Sequence, residues 1–388
     1  MGELCDIVGQ YAEKSPVRFH MPGHKGKAEN LNGLSFRHDV TELFFTDNLL
    51  CPSEKTNLIY GLEKRISECF FPNADIYSLI SCSGATLCVQ TAVLAMKNLN
   101  PKKGGGEHII CDRASHVSFA NAAALLGIKP LWIYPEEDFA EKIGCFAKIQ
   151  NVAGVFVTSP NYFGEMKDIE KISKECKKCS LPLAVDNSHG AHLAFHSGGI
   201  LHPANLGADL SIDSVHKTLP ALTGAALLHA SGTFDKESIL RPAMRMFAST
   251  SPSYLILQSI ERMVDFLEAS GTKEHERLLC DICLFKEKAA GLGFAFGGGE
   301  FLDPYRIVLG CGGSGEKLYR FLAEKNIFCE FFDDDDVVIL ASVSNGPDDF
   351  EKLFCAIGEF AENNEIVTAK SKKTSYPPGV PDILPGEK

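Results

Sequence analysis

Residues 211–224 of the chain read SIDSVHKTLPALTG. Its one lysine, Lys217, follows a predicted buried strand that ends at Ile212, and a second apolar strand is predicted from Ala225. A lysine at the end of a buried strand is costly to desolvate unless it has a partner or a chemical role. Burial favours the neutral amine, which is a nucleophile. The stretch therefore predicts a nucleophilic lysine, and a surface lysine in a tight turn is the alternative.

Length and charge restrict the possible functions. The chain has 388 residues, which is enough for one large core or two domains. Its formal net charge of -12 disfavours nucleic acid as the main partner, because phosphate binding needs clustered Lys and Arg. No apolar run reaches the length of a membrane span, and the N-terminus Met1–Asp6 lacks the pattern of a signal peptide. We therefore expect a cytoplasmic protein without a membrane or nucleic-acid partner.

Fourteen cysteines are present, and most lie inside apolar segments, as Cys88 does. In a reducing compartment such cysteines are small core residues. Two Cys-x-x-Cys pairs, Cys176/Cys179 and Cys280/Cys283, lie in helical patterns without histidines at a matching spacing. A structural zinc site needs four ligands with turn-like spacing, so we expect no metal site.

Strands and helices alternate through the first two thirds of the chain. Strands are predicted at 75–81, 108–111, 130–134, 154–158, 183–185 and 208–212. Apolar strands separated by helices predict a mostly parallel sheet that is covered on both faces, and such sheets bind ligands beyond the carboxyl ends of their strands. Five of these strands are followed by polar groups, namely Gly84–Thr86, His116, Ser159, Asp186 and Lys217. We therefore expect the five groups to converge on one rim.

The last third of the chain predicts a second, smaller α/β unit. Two long helices are predicted at 254–269 and 273–291. After them come strands at 305–309, 327–331 and 337–342, and helices at 314–325 and 347–362.

The polar groups on the rim suit pyridoxal 5′-phosphate (PLP). A lysine forms the Schiff base, and a carboxylate keeps the pyridine nitrogen protonated so that the ring accepts electrons. Lys217 and Asp186 suit these roles, and His116 suits stacking on the ring. The expected phosphate ligands are Ser83, Gly84, Ala85 and Thr86, because a small-residue helix start offers free N–H groups. Ser214 and His216, which flank the lysine, can add hydrogen-bond donors to the phosphate. Taken singly, Asp186 as a helix cap and His116 as a core residue are plainer interpretations.

Several longer motifs carry a resemblance to a known family. They are residues 19–26 (FHMPGHKG), Asp39-x-Thr41-Glu42, Asp47-Asn48-Leu49, Asp186-x-x-His189-Gly190-Ala191-His192, residues 214–224, residues 250–254 and residues 376–379. With these motifs the chain resembles the Orn/Lys/Arg decarboxylase family, PLP enzymes of the aspartate-aminotransferase fold (fold type I). It resembles a short form, since relatives continue past Pro385-Gly386-Glu387.

The resemblance implies a large domain with a mostly parallel, seven-stranded sheet covered by helices, and a smaller C-terminal α/β domain. We expect an N-terminal arm with active-site loops at 1–50, the PLP-binding domain at 51–265, and the small domain with an extended tail at 266–388. The resemblance also implies a homodimer or higher homo-oligomer. His189 would contact the cofactor, and Thr250 and Ser251 would approach the phosphate of the neighbouring subunit.

The implied reaction is decarboxylation of arginine, lysine or ornithine to a polyamine-type amine and CO2. Lys217, His216 or His116 would return the proton to the substrate carbon. Glu330 aligns with a family acid that would pair with the cationic side chain of the substrate, and Asp39 and Glu42 are further candidates. The other interpretation of Glu330 is an exposed glutamate at a strand edge.

Two features leave other functions open. Asn187 and Ser188 stand where the family usually has Glu-Ala, which keeps a PLP-fold protein without turnover as an alternative. Arg306 could hold a substrate carboxylate, as an aminotransferase requires, so another fold type I reaction (transamination or a lyase reaction) is a further alternative.

Overall fold

A computed structural model describes residues 2–14, 38–40, 58–99, 106–297, 301–364 and 366. The described chain divides into two compact units. Unit 1 contains the described residues up to Thr158 and the segment Ile169–Ser270, and unit 2 contains Ser159–Asp168 and the described residues from Gly271 onward. The motif at 19–26, Glu42 and the tail motif at 376–379 lie outside the described residues.

Unit 1 is built on a seven-stranded sheet. Its strands are β1 (Tyr77–Ser81), β2 (His108–Asp112), β3 (Lys129–Ile133), β4 (Val152–Thr158), β5 (Leu183–Asp186), β6 (Leu210–Asp213) and β7 (Ala226–Ala230). They are ordered β1-β7-β6-β5-β4-β2-β3. Neighbours pair in parallel except at β7, which is antiparallel to both β1 and β6. The mostly parallel sheet predicted from the apolar strands is confirmed.

Helices cover both faces of this sheet, as its buried strands require. The helices of unit 1 are α1 (Glu3–Glu13), α2 (Leu58–Phe70), α3 (Gly84–Asn98), α4 (Val117–Leu126), α5 (Phe139–Phe146), α6 (Ile169–Lys178), α7 (Val215–Thr218) and α8 (Arg241–Arg245), and α9 (Tyr254–Ala290) begins in this unit. The core on one face packs against α3, α4 and α8. The core on the other face packs against α1, α2 and α9, and farther along the sheet against α5 and α6.

Unit 2 contains an antiparallel sheet of four strands. They are β8 (Ala295–Phe296), β9 (Arg306–Gly310), β10 (Phe331–Phe332) and β11 (Asp336–Leu340), in the order β10-β11-β9-β8. The helices α10 (Gly315–Glu324) and α11 (Pro347–Glu362) follow the alternation predicted from the sequence. The boundaries of β9, β11, α10 and α11 each differ from their predictions by two residues at most.

Two predictions in this part of the chain were wrong. The helices predicted at 254–269 and 273–291 are one helix, α9, which runs through Gly271. A single glycine costs a helix only about 1 kcal/mol relative to alanine, so it does not end a helix whose apolar pattern continues. The strand predicted at 327–331 is replaced by the short strand Phe331–Phe332. The alternation of apolar residues in 327–331 suggested one buried face, but Phe328 is 79% exposed and does not pack in a core.

Two further observations concern the described residues only. Every cysteine among them carries a free thiol. In the same part of the chain, no helix combines the length and the apolar character that crossing a membrane would need.

Candidate active site

Three of the five polar groups expected on one rim follow parallel strands of unit 1, whereas Ser159 belongs to unit 2. Strands β2, β5 and β6 run parallel within one sheet, so their carboxyl ends lie at one edge. His116 follows β2, Asp186 ends β5, and Lys217 lies in α7 directly after β6. Asp186 and Lys217 both act electrostatically on the imidazole of His116. The three side chains assigned to the cofactor ring and its Schiff base are therefore brought together.

Lys217 is half-buried, and its amine contacts a histidine. The Lys217 Nζ lies 2.9 Å from Nε2 of His189. His189 follows β5 by three residues, in the loop that also carries Asp186. The contact thus joins the loop after β5 to α7, and places a proton acceptor next to the amine.

Asp186 is 3% exposed and is held through one oxygen. Its Oδ1 accepts hydrogen bonds from the backbone N–H of Ser188 at 3.1 Å and from the Ser188 hydroxyl at 2.5 Å. Ser188 is one of the two residues that depart from the usual family pattern, and the alanine it replaces could not supply the hydroxyl bond. Both bonds end on Oδ1, so Oδ2 stays available to accept from a protonated ring nitrogen.

His116 is the N-cap of α4. Its Nδ1 lies 3.1 Å from the backbone N–H of Ser118, which donates to it, and 2.9 Å from the Ser118 hydroxyl. Since Nδ1 accepts, the neutral ring carries its proton on Nε2. Burial lowers the pKa of His116, an effect that Asp186 opposes and Lys217 reinforces. The cap explains why a histidine starts this helix, and it is compatible with a ring that faces a ligand through Nε2.

His216, next to Lys217 in the chain, has the opposite tautomer. Its Nδ1 lies 2.8 Å from the carbonyl oxygen of Ala225. A carbonyl only accepts, so Nδ1 carries the proton and Nε2 of the neutral ring has none to donate. Hydrogen bonding therefore distinguishes the two histidines that the sequence offered as proton donors.

The predicted phosphate site lies at the start of α3. Gly84 has φ +73°, a left-handed conformation that favours glycine, and its N–H donates to the carbonyl of Gly224 at 2.9 Å. The Ser81 hydroxyl donates to the Gly84 carbonyl at 2.9 Å. The N–H groups of the next residues, Ala85 and Thr86, belong to the first helical turn and have no intrahelical acceptor. The amide of Gly84 is thus already bonded, while its neighbours can meet an anion.

These residues fit PLP in chemistry and in order. Asp186 keeps one carboxylate oxygen available at the end of a buried strand, Lys217 presents an amine beside a base, and α3 offers amide groups for a phosphate. For the other residues expected at the site, the structure gives a position and a degree of burial. Ser83 precedes α3 without a capping hydrogen bond, Ser214 is buried before α7, Thr250 and Ser251 are exposed, and Asp39 is half-buried.

A buried polar cluster that the sequence analysis did not identify lies under the same strand ends. The carboxylate of Asp213, the last residue of β6, accepts from Asn187 Nδ2 at 2.7 Å and is paired with Nε2 of His202 at 3.0 Å and of His229 at 3.2 Å. All four side chains are fully buried. Burial alone would raise the pKa of Asp213, but the two imidazoles outweigh it and hold that pKa well below its usual range. An acid at the end of an apolar strand was the signal for this cluster.

The cluster explains the second departure from the family pattern. Asn187 donates an amide hydrogen to Asp213, whereas a glutamate at 187 would place a second carboxylate against a buried one. Two histidines and an acid are also a possible metal-ligand set. However, the backbone N–H of Ala204 donates to Nδ1 of His202 at 3.2 Å, so Nε2 carries the proton and has no lone pair for a metal. The contacts assign the cluster to hydrogen bonding.

Glu330, the expected ligand of the substrate cation, lies in unit 2 directly before β10. It is exposed, and its Oε1 accepts a hydrogen bond from the Tyr162 hydroxyl at 2.5 Å. Tyr162 was not among the site residues predicted from the sequence, and its position in a polar loop after β4 was the only signal. Arg306, the first residue of β9, is 3% exposed in the same unit.

Known proteins that resemble this chain include several amino-acid decarboxylases. The family model "Orn/Lys/Arg decarboxylase, major domain" matches residues 3–295. The arginine decarboxylase of Bacillus subtilis is 24% identical over 97% of this chain and 89% of its own length. The arginine decarboxylase of Halalkalibacterium halodurans is 29% identical over 69% of this chain, which spans only 56% of that relative.

Solved structures agree on the fold. The constitutive lysine decarboxylase of Escherichia coli superposes with a TM-score of 0.76 at 19% identity, over 93% of this chain and 61% of that one. A lysine decarboxylase of Francisella novicida gives 0.77 at 19% identity, over 93% and 60%. The predicted fold class, PLP fold type I, is confirmed. Since the family model covers most of the chain, the chain belongs to the Orn/Lys/Arg decarboxylase family of PLP-dependent enzymes.

Proposed function

We propose that this protein decarboxylates a basic amino acid, arginine, lysine or ornithine, and releases the corresponding polyamine-type amine and CO2. The observation that carries the proposal is the convergence of Lys217, Asp186 and His116 on one rim of unit 1. Bound PLP supplies an electron sink for the electrons left when CO2 departs. We further propose a cytoplasmic homodimer or higher homo-oligomer, in which Thr250 and Ser251 reach the neighbouring subunit's phosphate.

Lys217 acts as the nucleophile, and His189 assists it. An ammonium group must lose a proton before its nitrogen can attack, and the Nε2 of His189 lies 2.9 Å from that nitrogen. Asp186 acts through its free Oδ2, because a buried carboxylate stabilises a proton on the pyridine nitrogen. Ser188 fixes the other oxygen and so limits the rotation of the carboxylate.

The proton that replaces CO2 on the substrate carbon comes from Lys217 or His116. His116 carries hydrogen on Nε2, while its Nδ1 is occupied at the helix cap. His216 is the weaker candidate, since its hydrogen is bound to the Ala225 carbonyl. Glu330, with Asp39 and Glu42 as further candidates, pairs with the side-chain cation of the substrate.

The proposal is tested by incubating the purified protein with each amino acid and measuring CO2. We expect release from at least one of arginine, lysine and ornithine, and a borohydride-reducible visible band whose label lies on the Lys217 peptide. Lys217→Ala should abolish both signals, whereas Lys129→Ala, which removes an exposed lysine, should change neither.

Each alternative predicts a different result. Transamination would yield a keto acid without CO2, and a protein without turnover would yield neither product. A label on any lysine other than Lys217 would reject the assignment of the site even if CO2 were released.

A further inference from the structure

The carboxylate of Asp186 accepts two hydrogen bonds from Ser188, and both end on the same oxygen. The Ser188 hydroxyl donates to Oδ1 at 2.5 Å, and the Ser188 backbone N–H donates to it at 3.1 Å. Asp186 is 3% exposed and Ser188 is 8% exposed, so water competes little with either bond. Two donors on one oxygen oppose rotation of the carboxyl group, because rotation would break both bonds.

The hydroxyl bond is specific to the side chain at position 188. Any residue other than proline can supply the backbone N–H, whereas the second donor at this place requires a short hydroxyl side chain. A hydrogen bond to an ionised carboxylate is also stronger than one between neutral groups. Ser188→Ala would therefore remove the stronger constraint on Asp186 and leave the backbone bond in place.

The turn that carries Ser188 is itself anchored to the sheet. The N–H of Gly190 donates to the carbonyl of Asn187 at 2.8 Å, which closes the turn after β5. The side chain of Asn187 donates to Oδ1 of Asp213 at 2.7 Å, and Asp213 ends the neighbouring strand β6. Asn187 and Asp213 are both fully buried. The Ser188 hydroxyl therefore has a fixed position relative to Asp186.

We propose that Ser188 is a positioning residue for the ring nitrogen of PLP. Its hydroxyl occupies Oδ1 of Asp186, so that Oδ2 remains as the oxygen that accepts from the protonated nitrogen. An acceptor whose orientation is fixed before binding loses less entropy when the ligand arrives, and so binds it more tightly. The inference rests on the proposed function for the assignment of Asp186 to the ring nitrogen.

A serine in a turn can also serve the turn alone. A hydroxyl that bonds to a nearby side chain stabilises the loop whether or not a ligand is present. Loss of that bond would loosen the rim and weaken every ligand bound there to the same degree. The two roles differ in what they require of the ligand, since only the positioning role needs a nitrogen in the ring.

The test compares the dissociation constants of PLP and of 1-deaza-PLP, in which C–H replaces the ring nitrogen. The full chain is freed of bound cofactor, and each aldehyde is titrated while the visible absorption of the bound form is followed. Ser188→Ala should raise the Kd for PLP by about fivefold or more and change the Kd for 1-deaza-PLP by less than about twofold. Ser188→Thr keeps a hydroxyl and should restore the Kd for PLP to within about twofold of that of the unchanged protein.

Ser173→Ala is the matched control. Ser173 is 2% exposed, and its hydroxyl donates to the carbonyl of Gly207 at 2.8 Å. Gly207 precedes β6, whereas Asp186 ends the parallel strand β5, so the two hydroxyl bonds lie at opposite edges of the sheet. Ser173→Ala removes a comparable buried bond and should change neither dissociation constant.

A double-mutant cycle tests whether Ser188 acts through Asp186. In an Asp186→Ala background there is no carboxylate to position, so adding Ser188→Ala should change the Kd for PLP by less than about twofold. The full loss in that background would show that Ser188 acts without Asp186, and would overturn the proposal. Equal losses for the two cofactors in Ser188→Ala alone, or no loss for PLP, would overturn it as well.

None of these measurements needs turnover, so the two proposals fail separately. If no basic amino acid releases CO2 while Ser188→Ala weakens PLP and spares 1-deaza-PLP, the decarboxylase proposal fails and the role of Ser188 stands. If CO2 is released and the two cofactors are weakened equally, the role of Ser188 fails and the decarboxylase proposal stands.

Discussion

Two buried charged residues, Asp213 in unit 1 and Arg306 in unit 2, differ in how their hydrogen-bonding groups are satisfied. The carboxylate of Asp213 is surrounded by N–H groups of Asn187, His202 and His229. The guanidinium of Arg306 has no acceptor within the described residues, although it is equally buried. A satisfied buried charge helps to specify a fold, whereas an unsatisfied one lowers stability. The comparison therefore assigns Asp213 to the stability of unit 1, whereas the guanidinium of Arg306 is a cost to the stability of unit 2.

The largest effect is expected where the satisfied charge is removed. Asp213→Ala leaves three N–H groups buried without an acceptor, and each costs about 1–3 kcal/mol, so the free energy of unfolding should fall by about 3 kcal/mol or more. Urea denaturation measures this loss. The matched control is Glu68→Ala, which removes an acid that is 64% exposed in an i,i+4 pair and should cost less than about 0.5 kcal/mol. Similar losses in the two variants would contradict the structural role of Asp213.

A smaller effect is expected where the packing around the unsatisfied charge is disturbed. Gly164→Ala adds a methyl group 2.6 Å from Cβ of Arg306 at a positive φ, and should cost about 2–3 kcal/mol. Gly313→Ala is the control, because Gly313 has φ +75° and open space around its would-be Cβ, so that backbone strain alone costs about 1 kcal/mol. The difference between their urea midpoints measures the close packing. Equal costs would show that Arg306 can move away freely.

The smallest effect is a pH dependence of stability, and it is expected only at the cluster around Asp213. Burial lowers the pKa of His229, against the field of Asp213. Below about pH 6.5 the unfolded chain binds a proton that the folded His229 does not, so stability falls with decreasing pH by up to about 1.4 kcal/mol per unit. Unfolding measured between pH 7 and pH 5 should show a shallower slope for His229→Gln. Identical slopes for the unchanged protein and for His229→Gln would mean that the pKa of His229 is the same in the folded and the unfolded chain.

Much of unit 1 was predictable because its signals are local. Apolar strands separated by helices predicted the parallel sheet, and the parallel sheet in turn predicted that Asp186, His116 and Lys217 would share a rim. The bounds of most elements followed from periodicity for the same reason. The unbroken helix α9 and the short β10 were missed, since the energy that continues a helix or pairs a strand comes from packing that no local pattern records.

The sequence by itself determined the family, the fold class and the order of the residues that fit PLP, because each is written in short motifs and in hydrophobic periodicity. Only the tertiary structure decided which groups pair. Tyr162 and Glu330 are 168 positions apart, and Asn187 and Asp213 are 26 apart. A hydrogen bond depends on distances of a few tenths of an ångström between side chains that the chain path alone does not fix. The tertiary structure therefore decided that Asp213 is satisfied and that Arg306 meets no acceptor among the residues that the structure describes.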